Sequence, residues 1–246
     1  LLSLLLLTVR LAPVLAFAPP FAQLRLPRGL RAAVVFGLAL ALEPAARPAA
    51  AALPLAWGPL VVATAGELLV GGVLAFALQA AFGSMHMAGR LLDTQAGQSM
   101  ATVVDPGSAV PSPVISTLLT LVAGSVFFAS HGHHDLLRVA AATLRAVPLG
   151  SLASVPTPQA LVAQMSAMAL MALTVAGVAM LALFITDLAL AVMTRSMPQM
   201  NILVLGMQVK SIVLLLALAV AAGSLAPLAM RAVEQAFGFI GRVLGA

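Results

Sequence analysis

The chain has 246 residues, of which 62% are hydrophobic and 8% charged, and its mean hydropathy is +1.13. A soluble domain carries roughly 25% charged residues, so charges this sparse cannot cover a water-facing surface, and lipid or other protein must cover part of it. The net charge of +5 is spread thinly, with no lysine/arginine block suited to nucleic acid, and the absence of cysteine excludes disulfides, thiolate metal sites and cysteine nucleophiles.

The chain begins at Leu1 rather than at a methionine, and its native N-terminus is expected to lie upstream. The first apolar run, Leu1 to about Ala22, carries Arg10 and Pro13 and has no cationic segment before its leucines. It therefore reads as a retained helix rather than a secretion signal. Pro19-Pro20 ends or kinks it, and a short basic connection with Arg25, Arg28 and Arg31 follows. A second run, Ala32 to Leu42, is shorter than the roughly 20 residues a bilayer requires, and Pro44, Pro48 and Pro54 punctuate the alanine-rich stretch after it.

Trp57 to about Gly83 is a long apolar segment interrupted only by Glu67. From Ser84 to Pro113 glycines, prolines, Gln95, Gln98, Arg90, Asp93 and Asp105 predict a helix end followed by an irregular loop. Val114 to Ala129 is apolar again and leads into Ser130-His131-Gly132-His133-His134, a polar helix from Asp135 to about Ala146, and a proline- and serine-rich loop. No charge occurs between Arg145 and Asp187. The helical part of that run, Ala160 to Met193, would extend roughly 50 Å. It must tilt, fold into a hairpin near Gly177, or lie partly in protein. A turn from Arg195 to Gln199, an apolar run Ile202 to Met230 containing Lys210, and an amphipathic tail from Arg231 complete the chain.

The expected fold is an all-α membrane protein with about six apolar helical segments, bent hairpins among them. Cationic residues ordinarily set the orientation of such segments. Here Arg25, Arg28, Arg31, Arg90 and Arg195 on one side are balanced by Arg47, Arg138, Arg145, Arg231 and Arg242 on the other. Either one assigned span is wrong or the segments do not cross in the ordinary way.

The polar islands resemble those of one family. Ala88-Gly89-Arg90 through Asp93, then Gln95-x-Gly97-x-Ser99 and Asp105-Pro106, resembles the central signature of the FliR family of export-gate subunits. Gly132-His133-His134-x-Leu136-Leu137 with Pro148-x-Gly150 is similar to its second block, and Arg195-x-x-Pro198-Gln199-Met200-Asn201 with Gly206 and Lys210 to its third. Arg10, Pro19 and Pro27-Arg28-x-x-Arg31 also fit in order, so the likeness covers nearly the whole chain. Met207-Gln208, Met100 and Arg90 depart from the family pattern and leave open the flagellar protein or its virulence-injectisome counterpart, while the Gly-His-His block and the Asp-Pro favour the flagellar branch.

The resemblance implies a single membrane domain over 1–246, with N-terminal helices at 1–83, a polar loop at 84–113 and C-terminal helical hairpins at 114–246. It implies a structural and gating subunit of the flagellar type III export apparatus in the bacterial inner membrane. Its partners would be FliP-like, FliQ-like and FlhB-like subunits, unfolded export substrates and membrane lipid, with no cofactor and no nucleic acid. It also implies that Gln98, Ser99, Met100, Thr102, Val103, Val104, Asp105, Pro106 and Gly107 form a plug. The residue types suit that role: glycine and proline hold irregular backbone, and Met100, Val103 and Val104 fill a constriction with displaceable apolar groups. The bland reading of the same stretch is an ordinary loop between two spans.

Glu67, Asp187 and Lys210 are ionisable groups inside apolar runs, and Arg195 and Gln199 flank the last turn. Such groups are costly in lipid and mark functional sites or buried pairs. One reading is the ion relay of a self-contained small-solute transporter. The simpler one pairs them across helix or subunit interfaces, Asp187 with Lys210 or Arg195 for example. His131, His133, His134 and Asp135 carry metal-ligand chemistry, but adjacent histidines diverge by about 100° on a helix and no second cluster completes a site, so they read as a helix boundary with polar capping. Gly66, Gly71, Gly72 and Ala75 form a small-residue face suited to close packing, with partner subunits as its natural use. No phosphate loop, Ser/His/Asp order or paired carboxylates appear, and no enzymatic activity is expected.

Overall fold

The computed structural model describes residues 2–22, 27–50, 56–97, 113–151, 156–196 and 202–245. Among them are eight helices: α1 (Leu2–Phe17), α2 (Pro19–Ala22), α3 (Arg28–Ala50), α4 (Trp57–Gln95), α5 (Val114–Ala129), α6 (Gly132–Ala146), α7 (Pro158–Ser196) and α8 (Ile202–Leu244). Three helices are long and apolar enough to cross a membrane, or four if the bent α5–α6 pair counts as one span. The chain is an all-α membrane protein.

Several elements are longer than the hydropathy pattern alone suggests. The apolar run 32–42 lies inside the 23-residue α3, which continues past Pro44. Helix α4 runs 39 residues, twelve beyond Gly83, so the first part of the polar stretch is helical. The hairpin near Gly177 does not form: α7 is one 39-residue helix. No proline stands between Pro158 and Pro198 to interrupt its hydrogen-bond ladder, and an isolated helical glycine costs only about 1 kcal/mol relative to alanine. The apolar run and the amphipathic tail at the C-terminus also merge, as α8 passes through Pro227 without ending.

The break between α5 and α6 is sharp, a 71° bend. His131 sits there in the left-handed region (φ 60°) as the N-cap of α6, and its side chain makes no capping hydrogen bond. The expected polar cap therefore does not form: the His131 carbonyl only accepts the first intrahelical bonds, from the N–H groups of His134 and Asp135. Gly132 allows the turn, because a Cβ there would meet the Phe127 ring at 2.5 Å.

The chain divides into two compact units, one of residues 1–82, 127–166 and 232–246, the other of 83–126 and 167–231. In the first, α1 packs on α3, and Leu6, Leu7, Leu11, Leu15, Val35, Ala39 and Leu144 form its buried core. Phe127 lies within 6.4 Å, ring to ring, of Phe21, Phe82 and Phe128, all edge-on, the geometry aromatic quadrupoles favour. In the second, Gly89 of α4 lies against the backbone of Ser116 in α5, and Gly83 against Met168 of α7.

The small-residue face of α4 is used within the chain, where Gly66, Gly71 and Ala75 are buried. A Cβ on Gly71 would stand 2.2 Å from the Arg10 carbonyl oxygen of α1, whereas one on Gly72 meets nothing within 4 Å. Neighbouring substitutions should therefore have opposite signs. Gly71→Ala is expected to destabilise by about 1–3 kcal/mol through overpacking, and Gly72→Ala to be neutral or stabilising by up to about 1 kcal/mol. Thermal unfolding of the purified protein in detergent, comparing the two variants, checks the contrast.

Candidate functional site

Two polar clusters lie inside the apolar framework, one in each unit. The first is built on Arg10 and Glu67, which are 1% and 0% exposed. Arg10 Nε donates to Glu67 Oε2 at 2.5 Å, Nη2 donates to the Val147 carbonyl at 3.0 Å, and Nη1 lies 3.4 Å from Thr143 Oγ1. Glu67 Oε1 accepts from the Gly150 N–H at 2.9 Å. Both carboxylate oxygens are thereby occupied, and a helix C-terminus, that of α6 at Val147, receives a cation on its free carbonyl. Gly150 has φ 81°, a conformation glycine adopts without a Cβ penalty, and this turns its N–H onto the carboxylate. Glu67 and Gly71 are four residues apart on one face of α4, so Arg10 meets that face with both its side chain and its carbonyl.

Glu67 was visible in the sequence as a lone charge in an apolar run. Arg10, Thr143 and Gly150 were not assigned to it. The signal available was the same for Arg10 as for Glu67, a charge inside an apolar helix, which demands an opposite partner.

The second cluster closes the two helix ends that bracket residues 98–112. Asp93, 5% exposed, accepts from the N–H of Ile115 on Oδ1 and from that of Ser116 on Oδ2, both at 3.1 Å. It thus caps α5 from outside that helix, satisfying orphan N–H donors and complementing the positive end of the dipole. Ser116 Oγ donates to the His86 carbonyl at 3.0 Å and lies 2.8 Å from His86 Nδ1, which locks α4 to α5 at the Gly89 contact. The C-terminus of α4 ends on Gly97, left-handed at φ 78°, as helix C-termini commonly do.

Lys210 of α8 forms an ion pair with Asp187 of α7 and also donates to the Gln95 carbonyl at the end of α4, at 3.3 Å. Gln95 Nε2 in turn donates to the Met180 carbonyl of α7 at 3.2 Å. Of the two pairings the sequence offers Asp187, with Lys210 or Arg195, the one with Lys210 is present, and one ammonium ties three helices. Arg195 is exposed at the end of α7. Gln98, Ser99, Met100, Thr102, Val103, Val104, Asp105, Pro106, Gly107 and Gln199 lie outside the described residues.

The histidines adjoin one another as rings, His133 and His134 at 4.2 Å and His131 and His134 at 5.6 Å. Among the described residues no three metal-ligating side chains are placed to hold an ion.

The sequence is similar to those of known bacterial export proteins. The family described as bacterial export proteins, family 1, matches residues 1–236. The flagellar biosynthetic protein FliR of Escherichia coli K12 is 30% identical over 152 residues, covering 57% of this chain and 54% of that protein. The surface presentation of antigens protein SpaR of Salmonella typhimurium is 27% identical over 204 residues, covering 82% and 76%. The Yop proteins translocation protein T of Yersinia pestis is 27% identical over 148 residues, covering 59% and 57%. In most of these relatives the chain spans just over half of the other protein's length.

The Arg10–Glu67 pair can be tested as a structural element of the first unit. Removing one partner of a buried pair costs about 3–5 kcal/mol, whereas replacing both by apolar groups is often neutral. Glu67→Gln is expected to lower the melting temperature sharply, and Arg10→Met/Glu67→Leu to recover most of it, by circular dichroism in detergent. At the second cluster, Asp93→Ala strips two N–H groups of a charged acceptor, worth about 1.5–3 kcal/mol. The amides of Ile115 and Ser116 should exchange at least tenfold faster with deuterium in Asp93→Ala, while those of α6 are unchanged.

Proposed function

The chain belongs to family 1 of the bacterial export proteins, and from that membership we propose that it is a structural and gating subunit of a type III protein-export apparatus of the flagellar kind. The observation that carries the reading is the family match over residues 1–236, which takes in both polar clusters and the stretch between them. In this reading the chain does no covalent chemistry. It stands in the bacterial inner membrane at the flagellar basal body, packs with FliP-like, FliQ-like and FlhB-like subunits, and helps form the passage for unfolded substrates.

What supports a gate at Gln98 to Gly107 is how the described residues on either side of it are held. A plug must be held firmly at its ends and yield in the middle. One end follows Gly97 and the Lys210 tie; the other precedes an α5 N-terminus capped by Asp93. Between these ends Met100, Val103 and Val104 supply apolar groups that block water and ions. The exposed apolar faces of α7 and α8, with Leu170, Leu181, Ile185, Leu215, Leu216 and Val220 all more than 60% exposed, suit a subunit surrounded by others. The virulence-injectisome branch is the alternative, favoured by the longer span of the match to SpaR.

Affinity purification of the tagged full chain from its own membranes should bring down the FliP- and FliQ-like subunits in fixed ratio. A monodisperse homo-oligomer without them, stabilised by a small solute, would overturn the assignment. Deleting Met100–Val104 should raise the ion permeability of the membrane and slow growth. Unchanged permeability in an assembled complex would remove the plug from this loop.

A further inference from the structure

A cavity of about 220 Å³ opens in the first unit, between α1, α2, α3, α5 and α6. Its walls are aliphatic and aromatic side chains together with the ring of His133; Leu11, Phe21, Val34, Leu38, Phe128 and Ala140 are among them. It is larger than the roughly 150 Å³ apolar cavity that stays dry and accepts benzene. Val34 and Phe128, 38% and 39% exposed, bring it to the surface of the unit. An apolar space of this size that opens outward in a membrane protein calls for a hydrocarbon guest.

The charge beside it is of one sign. Arg28, Arg31, Val34 and Leu38 follow one another on α3 at spacings of three and four, which places them along a single helix face. Arg28 and Arg31 occupy the first turn of α3, where no acidic side chain stands and where the helix dipole already favours an anion over a cation. Arg31 Nε is shielded from solvent and has no hydrogen-bond partner. Among the described residues neither arginine is in an ion pair. Two uncompensated guanidiniums thus lie on the helix face that continues into an open apolar cavity.

We propose that this is a binding site for an anionic phospholipid, with the headgroup phosphate on Arg28 and Arg31 and a length of one acyl chain in the cavity. Lipid is the one abundant molecule that joins an anion to hydrocarbon within a single turn's distance. The site does not depend on the export-gate reading, since it rests on α1, α2, α3, α5 and α6 alone.

The test uses the full chain purified in maltoside with the subunits it assembles with, examined by native mass spectrometry and thermal unfolding. Added dioleoyl-phosphatidylglycerol should be retained and raise the melting temperature. Dioleoyl-phosphatidylcholine at equal concentration should do neither, and inorganic phosphate should not substitute. Each arginine near a lipid phosphate contributes about 1 kcal/mol, a fivefold effect, so Arg28→Gln/Arg31→Gln should weaken phosphatidylglycerol binding roughly 25-fold. Ala140→Leu, which fills the cavity and leaves the arginines in place, should weaken it as well while the assembly elutes unchanged. Equal retention in wild type and variants, equal stabilisation by phosphate alone, or a partner polypeptide found cross-linked into the cavity in place of lipid would each overturn the proposal.

Discussion

The first unit is organised by one buried ion pair. In a chain this poor in charge, a guanidinium at 1% exposure and a carboxylate at 0% can coexist only as partners, because either alone in an apolar interior costs several kcal/mol. The pair does more than neutralise itself. Arg10 caps the end of α6 through the Val147 carbonyl, and Glu67 receives the N–H of the turn at Gly150. The close approach at Gly71 and the left-handed Gly150 follow as steric conditions for bringing these groups together.

In the second unit the ties are at helix ends rather than in mid-helix. Asp93 serves as an N-cap for a helix that begins twenty-one residues later, at Val114, and Lys210 neutralises a C-terminus while paired to Asp187. Both exploit the same property: the last turns of a helix carry backbone groups with no partner of their own.

Much of this was legible in the sequence and the remainder has identifiable reasons. Hydropathy located the apolar segments, and Glu67, Asp187 and Lys210 were marked by the cost of a lone charge. The same cost pointed to a partner for Asp187, either Lys210 or Arg195, and the structure has Lys210. Arg10 escaped because its partner is 57 residues away, and no spacing rule links groups on non-consecutive helices. Asp93 escaped for another reason. It reads as a loop-side acid at the end of α4, and only the return of α5 shows that it is an N-cap in trans. Helix continuity through Gly177 was left open by the sequence because one helical glycine costs only about 1 kcal/mol and need not end a helix.

The length of α7 bears on what must surround the chain. Its 39 residues extend roughly 58 Å, against a hydrocarbon core of about 30 Å. Even at 40°, the upper end of observed tilts, a helix traverses that core in only about 39 Å of its length. Yet apolar side chains stay exposed from Val162 and Met165 near its start to Val192 near its end, at 64%, 56% and 65%. The thirty residues between Val162 and Val192 span roughly 45 Å, longer than any admissible tilt can immerse. A hairpin would have halved the requirement, but the helix is unbroken. Some of this apolar surface therefore stands beyond the hydrocarbon core, where lipid tails alone do not cover it.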